Sequence, residues 1–272
     1  MSWLIILIAM YFIYCGIVFF FQGALIFPNT MAGKPSDALP TEDTELIEYS
    51  TDEGTTVAWL IPAPDSEVDD DTTYPLAVFL HGNAELIDYQ QPIMELYRRQ
   101  GLALLLIEYR GYGHSDGTPS QQHIVDDAVS IIGHVLNRDE IDPARLVLHG
   151  RSIGGMLSAQ VALQTKPNAL IVESCGTSVA DMSWRFGIPP FLVTSPLRTE
   201  KAFKQLDIPI LIMHGKDDEI FPLANAHALD NAAKQSTLVV FDASHNTLPM
   251  PNEATLYEQS VNEHLKKAGV LR

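Results

Sequence analysis

Ser152 stands in Gly150-Arg151-Ser152-Ile153-Gly154, one residue (His149) after the apolar run Leu146–Leu148 and just before a helical pattern through Met156, Leu157, Val161 and Leu163. A strand that enters a helix through so tight a turn leaves room only for small residues beside its apex, and Gly150, Gly154 and Gly155 supply them. The apex residue is then pushed into a strained, exposed conformation, its hydroxyl above the sheet and the N–H of the next residue beside it. Ser152 is therefore the candidate nucleophile.

A serine hydroxyl is a weak nucleophile and needs a base within hydrogen-bond reach, with an acid behind the base to orient it. The apolar strand ending at Met213 is followed by His214-Gly215-Lys216-Asp217-Asp218-Glu219, and the strand ending at Phe241 by Asp242-Ala243-Ser244-His245-Asn246. His245 is the candidate base. His149 and His214 precede turns at strand ends and suit loop bracing, while His264 lies on the closing helix. Asp218 is the favoured acid, with Asp217 a competitor because a shift of one residue turns the side chain away. Attack on a carbonyl also needs donors aimed at the developing oxyanion. The strand Leu76–Leu80 ends in His81-Gly82-Asn83, so the backbone N–H groups of Asn83 and Ile153 are the candidate pair.

Elements able to hold these groups recur along the chain. Leu46–Tyr49 and Thr55–Ile61 read as an opening pair of strands around Asp52-Glu53-Gly54, and the acidic stretch Pro64–Thr73 as a surface loop. From Pro75 onward, apolar strands (76–80, 103–108, 146–148, 169–173, 209–213, 237–241) alternate with helical stretches (87–99, 120–137, the segment after Ser152, 223–234, 253–267). Pro92 delays the start of the first of these helices. Wholly apolar strands separated by helices predict a mostly parallel, doubly wound α/β sheet buried on both faces. An insert at 176–205 interrupts the alternation. It carries Trp184, Phe186 and Phe191, which are candidates for lining a substrate groove or for resting at a membrane surface, as well as for simply covering the sheet edge.

Acidic residues outnumber basic ones by 34 to 17, a net charge of −17, with no basic patch, which argues against nucleic acid as a partner. The two cysteines, Cys15 and Cys175, and the spacing of the other potential ligands suggest neither a disulfide nor a metal site. Trp3–Phe21 contains no charged residue, and at helical rise its length is about 28 Å, close to the hydrocarbon thickness of a bilayer. A buried soluble helix is rarely apolar on all sides. A cleaved signal peptide is disfavoured because no Lys or Arg precedes the run and no small-x-small site directly follows it. The expectation is an uncleaved transmembrane anchor over 1–27, a Pro- and Gly-containing linker over 28–44, and a globular domain over 45–272. With Lys34 the nearest basic residue, the charge bias that orients such helices selects neither side.

Six segments, FLHGNAE, IEYRGYGHSDGTPS, LVLHGRSIGG, ESCGTS, ILIMHGKDDEIFP and ASHN, resemble one subfamily of the α/β hydrolases. It comprises membrane-tethered serine hydrolases similar to the ABHD proteins, often labelled lysophospholipase-like or serine-aminopeptidase-like. The similarity runs from about Tyr74 to the C-terminus, and many members share a single N-terminal anchor. The resemblance implies an α/β-hydrolase fold with a short cap at 176–205, no cofactor, and a nucleophile, acid and histidine in that order. The family pattern His-Gly-x-x-Asp falls on Asp218. Tyr109-Arg110-Gly111-Tyr112-Gly113 resembles a family segment that shapes the loop near the site. One departure is Asn83-Ala84-Glu85, where relatives commonly carry Asn-Ala-Gly; this bears on the loop shape, while the donor at Asn83 is retained. The expectation is hydrolysis of carboxylic esters or thioesters, on a small-molecule or lipid ester, through Ser152, His245 and Asp218. Amide or peptide hydrolysis is the first alternative, and a non-catalytic tethered binding protein on the same fold is the second.

Overall fold

Residues apolar at every strand position need cover on both sides of a sheet, and the chain supplies it. The computed structural model describes residues 2–64 and 73–271; most of the expected acidic loop, Pro64–Thr73, lies outside them. Helix α1 (Ser2–Ile26) is followed by strands β1 (Glu45–Thr51), β2 (Gly54–Ile61) and β3 (Tyr74–Leu80). Then come α2 (Gln91–Arg99), β4 (Ala103–Ile107), α3 (Gln121–Val135), β5 (Ile141–Arg151), α4 (Ile153–Thr165) and β6 (Ala169–Glu173). The insert holds short helices α5 (Val179–Met182) and α6 (Thr199–Phe203). Strand β7 (Ile210–Gly215), α7 (Ala224–Ala232), β8 (Ser236–Phe241) and α8 (Ala254–Lys267) complete the chain.

The strands form one sheet in the order β1-β2-β4-β3-β5-β6-β7-β8. It is parallel from β4 to β8, while β2 pairs antiparallel with both β1 and β4. Successive residues of a strand face opposite sides, and the core divides accordingly. Leu76, Val78 and Leu80 of β3 join Leu146 and Leu148 of β5 under α3 and α4. Ala77, Phe79 and Val147 pack on the other face with α2 and α8, through Leu96, Tyr97, Tyr257 and Val261. The doubly wound arrangement follows from that alternation.

Local signals set the helix starts. The Ser120 hydroxyl caps α3 by accepting the His123 N–H at 3.1 Å. Pro92 lies in the first turn of α2, where its missing N–H has no intrahelical partner to lose, and a separate 3-10 turn covers Ile87–Tyr89. Strand β5 is longer than its apolar run because it begins at Ile141, whose partner is Tyr74 of β3.

The segment read as a linker, 28–44, is tied to the domain. Phe27 just before it is fully buried in the core and Ala32 within it is buried. Asn29 Nδ2 donates to the Gly111 carbonyl at 2.7 Å, the Ser36 N–H to Asp88 Oδ1 at 2.6 Å, and the Tyr89 hydroxyl to the Lys34 carbonyl at 2.8 Å. These bonds carry the end of α1 onto the rim where the strands β3, β5 and β7 terminate.

Candidate active site

Strand β5 hands over to α4 at Ser152, whose φ of 54° and ψ of −119° no unstrained L-residue adopts. The turn closes only because its flanks lack side chains. A Cβ on Gly154 would lie 2.0 Å from the Leu80 carbonyl oxygen, and one on Gly150 would lie 2.3 Å from the Gly154 carbonyl oxygen. The Ser152 N–H donates to the Glu173 carbonyl at 2.8 Å, and the Ser152 carbonyl accepts the Gly155 N–H at 3.1 Å.

The residues expected after the last strands converge on this apex. Ser152 Oγ lies 3.0 Å from His245 Nε2, and His245 Nδ1 lies 2.8 Å from Asp218 Oδ2. With the carboxylate as acceptor, Nδ1–H donates to Asp218 and Nε2 offers its lone pair to the Ser152 hydroxyl. Asp217, the competing acid, is exposed to solvent. Asp218 is held in turn by the N–H groups of Ile220 and Phe221, which donate to Oδ1 at 2.9 and 2.7 Å. Burial alone would push this carboxyl up, but the hydrogen bonds from His245 and Phe221 and the nearby imidazoles hold it below the ordinary carboxylate range. His214 braces the same loop: Nε2–H donates to the Phe221 carbonyl at 2.7 Å, and burial lowers its pKa.

The Ile153 N–H opens α4, where the first-turn amides have no intrahelical acceptor and the positive end of the helix dipole points outward. Asn83 and Ile153 line the same cavity as Ser152. The Asn83 side chain is clamped between two elements: Tyr112 Oη donates to Oδ1 at 3.1 Å, and Nδ2 donates to the Ile26 carbonyl of α1 at 3.0 Å. Glu85 takes up the sequence departure noted above. Its Oε2 accepts the Gly82 N–H at 3.1 Å, and its Oε1 pairs with Arg151 Nη1 at 3.1 Å, joining the turn after β3 to the residue before the nucleophile.

The cavity over Ser152 encloses about 810 Å³ and is predominantly apolar, with Met156, Met182, Ile188 and Phe221 among its walls. Glu85 and Arg151 are its acidic and basic lining residues among those described, and they pair with each other. Of the three cap aromatics expected at the substrate, only Phe186 lines the cavity. Trp184 and Phe191 stand 61% and 83% exposed, outside the lining, because the short helical turns of the cap send neighbouring side chains to different sides.

Sequence reasoning missed two buried polar networks beneath the rim. Tyr97 Oη donates to His149 Nδ1 at 2.9 Å, His149 Nε2–H to Glu173 Oε1 at 2.6 Å, and Tyr257 Oη also donates to Glu173. Burial would raise the Glu173 carboxyl, yet these donors hold it below its ordinary value. Across the sheet, His81 Nε2 donates to Glu108 Oε1 at 2.8 Å, and that carboxylate keeps the imidazole's pKa raised despite complete burial. A usable signal existed: Glu108 directly follows the apolar strand β4 and Glu173 ends the otherwise apolar β6, and a carboxylate there needs a buried partner.

Residues 74–195 match the family model described as serine aminopeptidase, S33. The chain is 30% identical to protein YfhR of Escherichia coli O157:H7 over 228 residues, spanning 80% of this chain and 79% of that one. It is 32% identical over 167 residues to the α/β hydrolase domain-containing protein WAV2 of Arabidopsis thaliana, about half of each chain (54%). Among solved structures, the Pyrococcus furiosus esterase Pf2001 superposes with a TM-score of 0.66 at 16% identity, over 86% of this chain and 97% of that one. Est1E from Butyrivibrio proteoclasticus, with ferulic acid bound, gives 0.66 at 19% identity over 79% and 95%. At such identities these two show the fold alone. From the sequence relatives and the fold together, the chain belongs to the α/β-hydrolase superfamily, in its ABHD-like, serine-aminopeptidase-like branch.

Proposed function

We propose that this chain is a membrane-anchored serine hydrolase that cleaves carboxylic esters or thioesters through an acyl-enzyme. The observation that carries the reading is the unbroken hydrogen-bond chain Ser152–His245–Asp218 at the floor of an apolar cavity. As Ser152 Oγ attacks the carbonyl carbon, its proton passes to His245 Nε2. Asp218 holds the imidazole in the required tautomer and stabilises its charged form. The N–H groups of Asn83 and Ile153 receive the developing oxyanion. Collapse of the tetrahedral adduct breaks the bond to the alcohol or thiol, which leaves with the proton from His245. A water molecule then gives its proton to the same nitrogen, attacks the acyl carbonyl and frees the acid and Ser152.

Amide and peptide hydrolysis ranks second. An aminopeptidase needs an unpaired carboxylate for the substrate amine, and the acidic group in the cavity, Glu85, is already paired with Arg151. The anchoring half of the proposal rests on α1, an N-terminal helix long and apolar enough to cross a membrane. The test is covalent labelling with a fluorophosphonate probe. The full chain is expected to label, and Ser152→Ala to abolish it. Undiminished labelling of Ser152→Ala removes the nucleophile from the proposal.

A further inference from the structure

Helix α1 does more than leave the domain and enter a membrane. Between Tyr11 and Gln22 it lies along the cap: Tyr11 Oη donates to the Gly187 carbonyl at 2.8 Å, and Tyr14 Oη donates to the Phe186 carbonyl at 2.8 Å. One helical turn short of its end, Gln22 makes a two-sided contact. Its Nε2 donates to the Leu192 carbonyl at 3.0 Å, and its Oε1 accepts the Thr194 N–H at 2.8 Å. Gln22 and Cys15 are the buried side chains among the described residues of the helix, both on the domain side. A polar residue within an apolar spanning helix is costly unless a protein partner satisfies it, and here the cap backbone does so. On that same side Tyr14, Val18, Phe19 and Leu25 form one wall of the cavity over Ser152, and the Ile26 carbonyl holds the Asn83 side chain.

This docking sets the depth of the cap. The cap contacts, from Tyr11 to Gln22, fall inside the apolar run Trp3–Ile26 itself, the stretch long enough to cross the roughly 30 Å hydrocarbon core. A helix that crosses the bilayer must therefore carry the cap into the adjoining leaflet. The cap segment that α1 contacts carries the exposed aromatics that suit that position: Trp184 and Phe191 are 61% and 83% exposed, and Phe186, at the cavity edge, is 67% exposed.

We infer that α1 is a wall of the substrate cavity, and that the cap aromatics sit in the bilayer so that the cavity takes its acyl chain laterally from the leaflet. The substrate class is then a long-chain acyl ester resident in the membrane. The inference rests on the hydrolase reading above for its chemistry, although the placement of the cap stands apart from it.

Two measurements on the full chain in phosphatidylcholine bilayers test it. In the first, kcat/KM is compared for fluorogenic butyrate, octanoate, laurate and palmitate esters. Wild type is expected to favour the long chains. Val18→Trp, which fills the helix side of the cavity, is expected to lower the palmitate-to-butyrate ratio about tenfold or more, the scale set by losing methylene-sized room in an apolar pocket. Phe20→Trp, on a residue outside the cavity lining, serves as the control and is expected to keep the wild-type ratio. A wild-type ratio in Val18→Trp, with Ser152 still labelled by fluorophosphonate, overturns the wall while leaving the hydrolase reading standing. Loss of labelling in wild type fails the hydrolase reading instead.

The second measurement needs no catalysis. Phosphatidylcholine brominated in its acyl chains is expected to quench Trp3→Phe protein, and the quenching to disappear in Trp3→Phe/Trp184→Phe, because the remaining Trp59 is buried in the core. Equal fluorescence in brominated and plain lipid places Trp184 outside the hydrocarbon and overturns the inference. So does shielding of Trp184 by a second copy of the chain in a dimer.

Discussion

Replacing Asp218 by Asn isolates the role of one proton. Oδ1 of Asp218 accepts two loop N–H groups, from Ile220 at 2.9 Å and Phe221 at 2.7 Å, while Oδ2 accepts Nδ1–H of His245 at 2.8 Å. An amide turned so that its NH2 faced the loop would set donors against donors and forfeit two bonds, at about 1–3 kcal/mol for each buried group left unpaired. The asparagine therefore keeps its carbonyl on the loop and presents its NH2 to His245. That NH2 only donates, so His245 must offer a lone pair at Nδ1 and carry its proton on Nε2. This proton then points at Ser152 Oγ, 3.0 Å away, where the reaction needs an acceptor. A base locked in the wrong tautomer reduces kcat about 10⁴-fold in the serine-protease arrangement, which corresponds to about 5.5 kcal/mol of transition-state stabilisation. The assay is hydrolysis of p-nitrophenyl butyrate and the rate of fluorophosphonate labelling, beside a thermal melt showing that the loop has survived. Activity within tenfold of wild type, with an unchanged melt, refutes the assignment of Asp218 as the orienting acid.

Two further outcomes follow from named contacts. Gly154→Ala places a methyl group 2.0 Å from the Leu80 carbonyl oxygen, a backbone atom that has no rotamer to yield. Denaturant melts should show a loss of at least the ~1–3 kcal/mol typical of overpacking, with esterase activity falling further because Ile153 and Ser152 move with the turn; a melt and activity matching wild type contradict the tight elbow. Burial lowers the pKa of His264 from its ordinary 6.5 to about 4, so between those values the unfolded chain binds the extra proton and the folded one does not. Stability is expected to be full above pH 6.5 and to fall on acidification toward pH 4, by about 3 kcal/mol from this residue at 1.36 kcal/mol per unit. Urea melts of wild type against His264→Asn measure it, and parallel pH profiles for the two proteins contradict it.

Legibility varied with how local the physical cause was. The sheet and its two covered faces were readable because alternation of side chains along a strand is a property of consecutive residues: Leu76, Val78 and Leu80 separate from Ala77 and Phe79 without reference to anything distant. The elbow was readable for the same reason, since Gly150 and Gly154 flank Ser152 within one turn. The choice between Asp217 and Asp218 depended on which way a loop residue faces. Only the bonds from Ile220, Phe221 and His245 settle the side chain's direction in the structure. Trp184 and Phe191 failed as cavity residues because the cap consists of short turns, and a turn of three or four residues carries no period from which a face can be read.

The sequence by itself determined that a strained serine lies at the end of an apolar strand, that an acid and a histidine follow later strands, and that the run Trp3–Phe21 is apolar on every side. Tertiary structure alone decided that these groups meet, that Glu85 ties the Gly82 turn to Arg151, and that Gln22 is satisfied by the backbone near Leu192 and Thr194. Those contacts join residues as much as 172 positions apart. Polar partners so far separated leave no spacing in the chain, because what brings them within hydrogen-bond reach is the packing of the sheet and cap between them.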